Sequence, residues 1–401
     1  MVSVLALGWP AAAQAHAFLL STTPALGARL ASSPARITLT FDEPVTPAQG
    51  GIELRRLGGG AAPTLGKATT ANGGKTLQIG VGHLGPGVYE ASWQIIADDG
   101  HFEAGELDFQ VGNVGSLPAL TAGPQTPLPW SLVGARLLLY IGLALTFGRG
   151  LVGLRIGLRS NGLTMFGVFL ALVGAIWQEL ALAAEFGGGA IWTGIEPAHI
   201  HAALMNQAGK LGALITLVAA LQLSILGVFR RRAHPLIASG AAIILLLALS
   251  GHSAYARYTP LTVTLDVAHI AAAAIWLGGL VELGSVALAD RKQLRIRARQ
   301  FAPFGFATVA TLAATGVYAA WIHVERWSAL TGTPYGKTVL VKSGLFFVAL
   351  AFGAFNHLTT RRGHSRWTSI TLEPGVLAMI VAVASVLVNV APPPPAAQAA
   401  A

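Results

Sequence analysis

Hydrophobic positions along this 401-residue chain change their rhythm near residue 130. Ahead of that point they alternate with polar ones: Ile37-Thr38-Leu39-Thr40-Phe41, Ile52-Glu53-Leu54, Thr76-Leu77-Gln78-Ile79, Val88-Tyr89-Glu90-Ala91-Ser92-Trp93 and Leu107-Asp108-Phe109-Gln110-Val111. Alternation of this kind turns every second side chain to the same face of a strand. Asn72-Gly73-Gly74 and Gly85-Pro86-Gly87 supply turns between the runs. Short half-apolar strands punctuated by turns predict an all-β, immunoglobulin-like antiparallel sandwich over residues 16–113. Residues 114–129, VGSLPALTAGPQTPLP, read as a Pro/Gly linker.

Beyond it the alternation gives way to long apolar stretches at 130–148, 163–184, 204–229, 235–252, 262–288, 301–322, 338–357 and 372–391. Most reach the roughly 20 residues that carry a helix across hydrocarbon. Residues 130–391 are therefore expected to form an all-α polytopic membrane bundle of about eight transmembrane helices, with 392–401 a C-terminal tail. The fourth stretch is the weakest, its apolar core running only from Leu236 to Leu249. The chain opens on MVSVLALGWPAAAQA, an apolar run ending in Ala13-Gln14-Ala15. Such an A-x-A ending reads as a signal peptide over 1–15, with the mature chain starting at His16. No Lys or Arg precedes the run, which is unusual for an export signal.

Composition agrees with a membrane protein. Hydrophobic residues make up 53% and charged residues 11%, against about 25% charged in an ordinary soluble domain. The chain has no cysteine, which excludes disulfide scaffolds, thiolate nucleophiles and cysteine-held zinc or iron–sulfur sites. The formal charge of +9 would suit a nucleic-acid binder, but its placement argues otherwise. One alternate set of connections holds Arg149, Arg155, Arg159, Arg230, Arg231, Arg232, Arg291, Lys292, Arg295, Arg297, Arg299, Arg361, Arg362 and Arg366; the opposite set holds only Arg257, Arg326 and Lys337. The positive-inside rule puts the first set in the cytoplasm and the β-domain and C-terminus outside. The charge is topological, and no nucleic-acid partner is expected.

Histidines carry most of the metal-binding potential. His16, His83 and His101 belong to the β-domain, and His199, His201, His252 and His323 fall at outer loops or outer ends of spans. Imidazole suits copper, zinc, nickel and haem iron, and with thiolates absent a histidine–carboxylate set favours Cu(II). In Asp98-Asp99-Gly100-His101 the Asp99 and His101 side chains share a face if the backbone is extended. After cleavage His16 would offer an α-amine and an imidazole, completing a three-nitrogen, one-oxygen set. Spacing alone leaves a second reading open, in which DDGH is a polar turn and His16 a frayed end. In the membrane half Asp266 and His269 are neighbours on one helix face, near the level of His252, and His201 and Met205 are four apart at the start of the third span. Together they could line an outer vestibule for a metal. Alternatively, Asp266 pairs with Lys210 or Lys342 and the histidines satisfy helix ends. No nucleophile elbow, phosphate-binding glycine loop or H-E-x-x-H motif occurs.

The blocks HAFLLSTTPALGARL, ITLTFDEPV and YEASWQIIADDGHFEAGELDFQVG resemble the CopC family of extracytoplasmic copper-binding β-sandwiches. GHSAYARYTP, LDVAHIAAAAIWLGGL, TPYGKTVLVK, FNHL and LEPGVLAM are similar to the CopD family. The order of blocks across both halves implies a fused CopC–CopD copper-resistance or copper-import protein of the YcnJ type. The resemblance places Cu(II) ligands at His16, Asp99 and His101. Residues 16–113 contain no methionine, so the methionine-rich Cu(I) site of some family members is not matched.

The expected protein is a multi-pass copper-homeostasis protein of the bacterial cytoplasmic membrane, not an enzyme. It would bind Cu(II) outside and transfer or import copper, as Cu(I) if reduced, through the bundle. Its partners would be copper, the bilayer and periplasmic copper proteins; the candidate membrane pathway is His252, Asp266, His269, His201 and Met205. Two other readings are a membrane haem or copper redox protein, and a copper delivery or sensor module without transport.

Overall fold

The computed structural model describes residues 17–114, 128–157, 161–228, 234–251, 259–324, 326–361 and 367–390. The expected signal peptide and most of the expected linker lie outside them. Two compact units result: one of His16–Ala135 with Ile176–Leu214, the other built on Arg136–Ala175 and Ile215–Ala401.

The first unit contains the sandwich. Its strands are β1 (Leu19–Thr23), β2 (Ala28–Leu30), β3 (Arg36–Phe41), β4 (Val45–Leu57), β5 (Thr69–Ala71), β6 (Thr76–Gly80), β7 (Gly87–Ala97) and β8 (Phe102–Val111). They form two four-stranded sheets, ordered β1-β3-β6-β5 and β2-β8-β7-β4. Every pairing is antiparallel except β2 with β8. The alternation in the sequence explains the core. Ile37, Leu39, Phe41, Leu77 and Ile79 point inward from one sheet; Leu54, Tyr89, Ala91, Trp93, Leu107 and Phe109 do so from the other. Each large apolar side chain so buried contributes about 1.5–3 kcal/mol. Phe41 meets Trp93 edge-on at 5.4 Å, fixing the two sheets face to face.

The helices are α1 (Trp130–Leu143), α2 (Arg149–Ile156), α3 (Asn161–Phe186), α4 (Pro197–Met205), α5 (Gln207–Val228), α6 (His234–Ser250), α7 (Thr259–Ala289), α8 (Arg291–His323), α9 (Trp327–Gly332), α10 (Pro334–Arg361) and α11 (Trp367–Leu387). Among the described residues six stretches are long and apolar enough to cross a membrane: Trp130–Ile156, Gly162–Phe186, Gln207–Ser224, Thr259–Ala289, Lys292–His323 and Pro334–Asn356. His234–Ser250 and Glu373–Leu387 are apolar but shorter. These match the fourth and eighth expected stretches, and the fourth is the one whose apolar core looked short in the sequence.

In the second unit α7 packs against α2, α6, α8 and α11. Its Gly278 lies against the backbone of Ala144 and Arg149, and its Gly279 against the Phe301 ring. Any side chain there would force the helices apart. The first helix departs from expectation. It does not stop at residue 148 but passes through a π-helical turn, Ala144–Gly148, and continues as α2. Arg149 is therefore not a loop charge. It is fully buried, with Nε donating to Glu282 Oε2 at 2.7 Å and Nη1 to Thr164 Oγ1 at 2.9 Å. Arg291–Arg299, read as connection, likewise form the first turns of α8.

Candidate metal centre

The β7–β8 hairpin pairs down to Ile96 and Phe102, leaving five residues to reverse the chain. Gly100 N–H donates to Ala97 O at 2.8 Å, and Ala97 N–H to His101 O at 2.8 Å. Gly100 holds φ at +89°, a conformation that L side chains resist, so glycine is required in the DDGH turn. The reversal turns Asp99 and His101 inward. Asp99 is 1% and His101 7% exposed. Asp99 Oδ1 accepts the His101 amide at 3.1 Å, a bond that the Asx geometry of a tight turn favours. The same oxygen lies 3.0 Å from His101 Nδ1. The two expected ligands are thus brought together and held from water.

The structure adds a third group. Ile37, Leu39, Phe41, Glu43 and Val45 are all buried, because the inward alternation of β3 continues past its last residue. Glu43 is therefore folded into the end of the sandwich, and neither of its carboxyl oxygens has a hydrogen-bond partner. Asp98 N–H donates to Pro44 O at 3.0 Å, tying the β7–β8 turn alongside Glu43. Burial, and next the charge of Asp99 followed by Asp42, Asp98 and Glu103, hold the Glu43 carboxyl far above the ordinary carboxylate range. Glu103 on β8 is pushed up to about 8 by burial and then by Asp99 and Asp42. Several carboxylates sharing a poorly hydrated pocket repel one another unless a proton or a cation sits among them. Hard oxygen donors beside one imidazole suit a borderline divalent ion such as Cu(II).

Among the described residues no group of three or more histidine, aspartate and glutamate side chains stands close enough to hold a metal ion. His16, the remaining expected ligand, lies outside the described residues. Its chain neighbours are fixed: Ala17 is buried in the sandwich core, and Phe18 N–H donates to Asp42 Oδ1 at 2.7 Å. Glu43 stands in a block quoted for its resemblance, and its place in the alternation was the signal that could have singled it out.

The other candidates are distributed as follows. His201 and Met205 stand on an exposed face of α4 in the same unit as the sandwich. His199 Nδ1 engages Thr193 O at 2.8 Å, the structural role of satisfying a helix end. In the other unit His269 Nδ1 lies 2.7 Å from Thr315 Oγ1 of α8. Lys342 of α10 is within electrostatic range of both His269 and Asp266, and Tyr140 and Tyr335 are within range of Asp266. A cation–carboxylate pairing of Asp266 with Lys342 thus has structural support. His252 lies outside the described residues.

Comparison with known proteins matches residues 19–112 to the CopC domain and residues 296–387 to Copper resistance protein D. The chain is 24% identical to Copper transport protein CutJ of Bacillus subtilis (strain 168) over 403 aligned residues, spanning 93% of this chain and 74% of that one. It is 35% identical to Copper resistance protein C of Pseudomonas syringae pv. tomato over 107 residues, 25% of this chain and 84% of that one. Among solved structures, CopC from Methylosinus trichosporium OB3b aligns at 24% identity over 26% of this chain and 100% of its own, with a TM-score of 0.22. PcoC, a methionine-rich copper resistance protein from Escherichia coli, aligns at 26% identity over 24% of this chain and 99% of its own, also with a TM-score of 0.22. The chain therefore belongs to the CopC family, and it carries in the same polypeptide a region that matches Copper resistance protein D.

Proposed function

We propose that the sandwich captures Cu(II) outside the cytoplasmic membrane and that the helical part carries the copper onward and inward. The observation that carries this reading is the buried Asp99–His101 pair, with the Glu43 carboxyl, buried without a hydrogen-bond partner, within electrostatic range of Asp99. A cation held at Asp99 and His101 offsets the negative charge that Glu43 meets there. His16, freed at its amine by removal of residues 1–15, completes the set through its α-amine and imidazole nitrogens. Ala17 and Phe18, which follow it in the chain, are fixed by the sandwich core and by Asp42.

Orientation rests on the lysine and arginine bias, which favours an external sandwich and C-terminus even without Arg149. The names of the relatives, copper transport and copper resistance proteins, support copper as the cargo. His201 and Met205 offer an exposed imidazole and thioether as the next station, and Asp266 and His269 a polar position within the helical unit. No covalent chemistry is required; the reaction is ligand exchange.

The test is copper uptake into proteoliposomes that hold the full chain. The parent should accumulate copper, and His101→Ala should lower the rate about tenfold or more through loss of a charge-stabilised ligand. Uptake equal to that of empty vesicles contradicts the proposal.

A further inference from the structure

The β7–β8 turn is fastened to a helix as firmly as to its own sheet. Asp98 Oδ1 accepts the N–H of Gln207, the first residue of α5, at 2.9 Å, and Asp98 O accepts the Ala208 N–H at 3.1 Å. Asn206, which joins α4 to α5, is 1% exposed. Its Nδ2 donates to Ala97 O at 2.8 Å and its Oδ1 accepts from Ala208 N–H at 2.9 Å. A Cβ added to Gly100 would lie 2.8 Å from that of Ala208, so the turn and the helix approach at a distance that only glycine permits. Ala48, Ile96, Leu182, Ala183, Phe186 and Ala203 seal the contact with an apolar cluster.

The chemistry is that of a helix cap supplied from elsewhere in the chain. The first turn of any helix leaves N–H groups without intrahelical partners, and its dipole favours a carboxylate. The two adjacent aspartates divide the work: Asp99 faces His101, whereas Asp98 reaches the helix. Met205 is the residue immediately before Asn206, and His201 lies one turn earlier on the same exposed face.

We propose that Asp98 and Asn206 are positioning residues that latch the metal-binding turn to the N-terminus of α5, so that copper leaves the Asp99–His101 site toward the His201–Met205 face of α4. The inference rests on the copper reading above and predicts a split between capture and delivery. A turn that only needed to bind copper would be indifferent to α5.

The test uses the full chain in proteoliposomes, with Asp98→Ala, Asn206→Ala and the conservative Asp98→Asn, which keeps the acceptor oxygen. Cu(II) affinity of Asn206→Ala should stay within about threefold of the parent, whereas uptake by both alanine variants should fall about tenfold, the effect of losing a cap together with a buried hydrogen bond. Asp98→Asn should restore uptake to within about twofold, since asparagine caps helices as well as aspartate. Hydrogen exchange should show faster exchange at Gln207 and Ala208 in both alanine variants, with the β7–β8 ladder still protected. Parental uptake in both alanine variants overturns the latch. So does a loss of affinity in Asn206→Ala matching its loss of uptake, or a collapse of sandwich protection that Asp98→Asn does not prevent. A parent that takes up no copper defeats the functional reading instead.

Discussion

A carboxylate taken out of water must be protonated, hydrogen-bonded or bound to a cation, because leaving it bare costs several kcal/mol. Glu43 is buried without a hydrogen-bond partner, and its neighbours are themselves acidic. This makes it the most informative single residue in the sandwich. Glu43→Gln keeps the shape and removes the capacity to ionise. Its Cu(II) affinity should fall about 10- to 100-fold, as expected when a group that supports a metal site from just outside its ligands is weakened. The metal-free protein should melt no lower than the parent. Titration calorimetry and a thermal scan measure the two effects on one sample; unchanged affinity would remove Glu43 from the site. The spacing of Asp99 and His101 foretold that they share a turn, whereas only the family resemblance named them as ligands. Glu43 was legible in principle from the alternation 37, 39, 41, 43. The continued period implies an inward carboxylate, which only a third dimension places beside Asp99.

At the scale of elements, the join between α1 and α2 stands out. A π-helical turn over Ala144–Gly148 shifts the register just before Arg149, and the guanidinium turns into the bundle to meet Glu282 of α7. Both side chains are fully buried. Removing one partner leaves an unpaired charge, whereas replacing both with apolar groups is often neutral. Arg149→Met should therefore destabilise the protein by about 3–5 kcal/mol, and the double variant Arg149→Met/Glu282→Leu should regain most of it. Unfolding in detergent, followed by circular dichroism, tests this; equal stability of the single and double variants would mean that the pair is not coupled. The sequence shows where apolar stretches start and stop but not which helix faces which. Arg149 consequently resembled a loop charge, and its partner 133 residues away could not be seen.

On the scale of the whole molecule, the change of hydrophobic rhythm near residue 130 separates strands from helices, but the compact units divide elsewhere. Ile176–Leu214, the ends of two long helices with α4 between them, belong with the sandwich. Their contact is built from alanines, a leucine and a phenylalanine of no distinctive period, and from Asp98 and Asn206, which look like ordinary turn residues in sequence. The account therefore predicts a capture site fixed to the helices it feeds, and everything depends on the identity of its ligands. Pulsed electron paramagnetic resonance of Cu(II) bound to the full chain, processed in its native host, examines those ligands most directly. The account predicts coupling to two imidazoles, with one lost in His101→Ala; a spectrum without imidazole coupling, or one unaltered by that substitution, would contradict it.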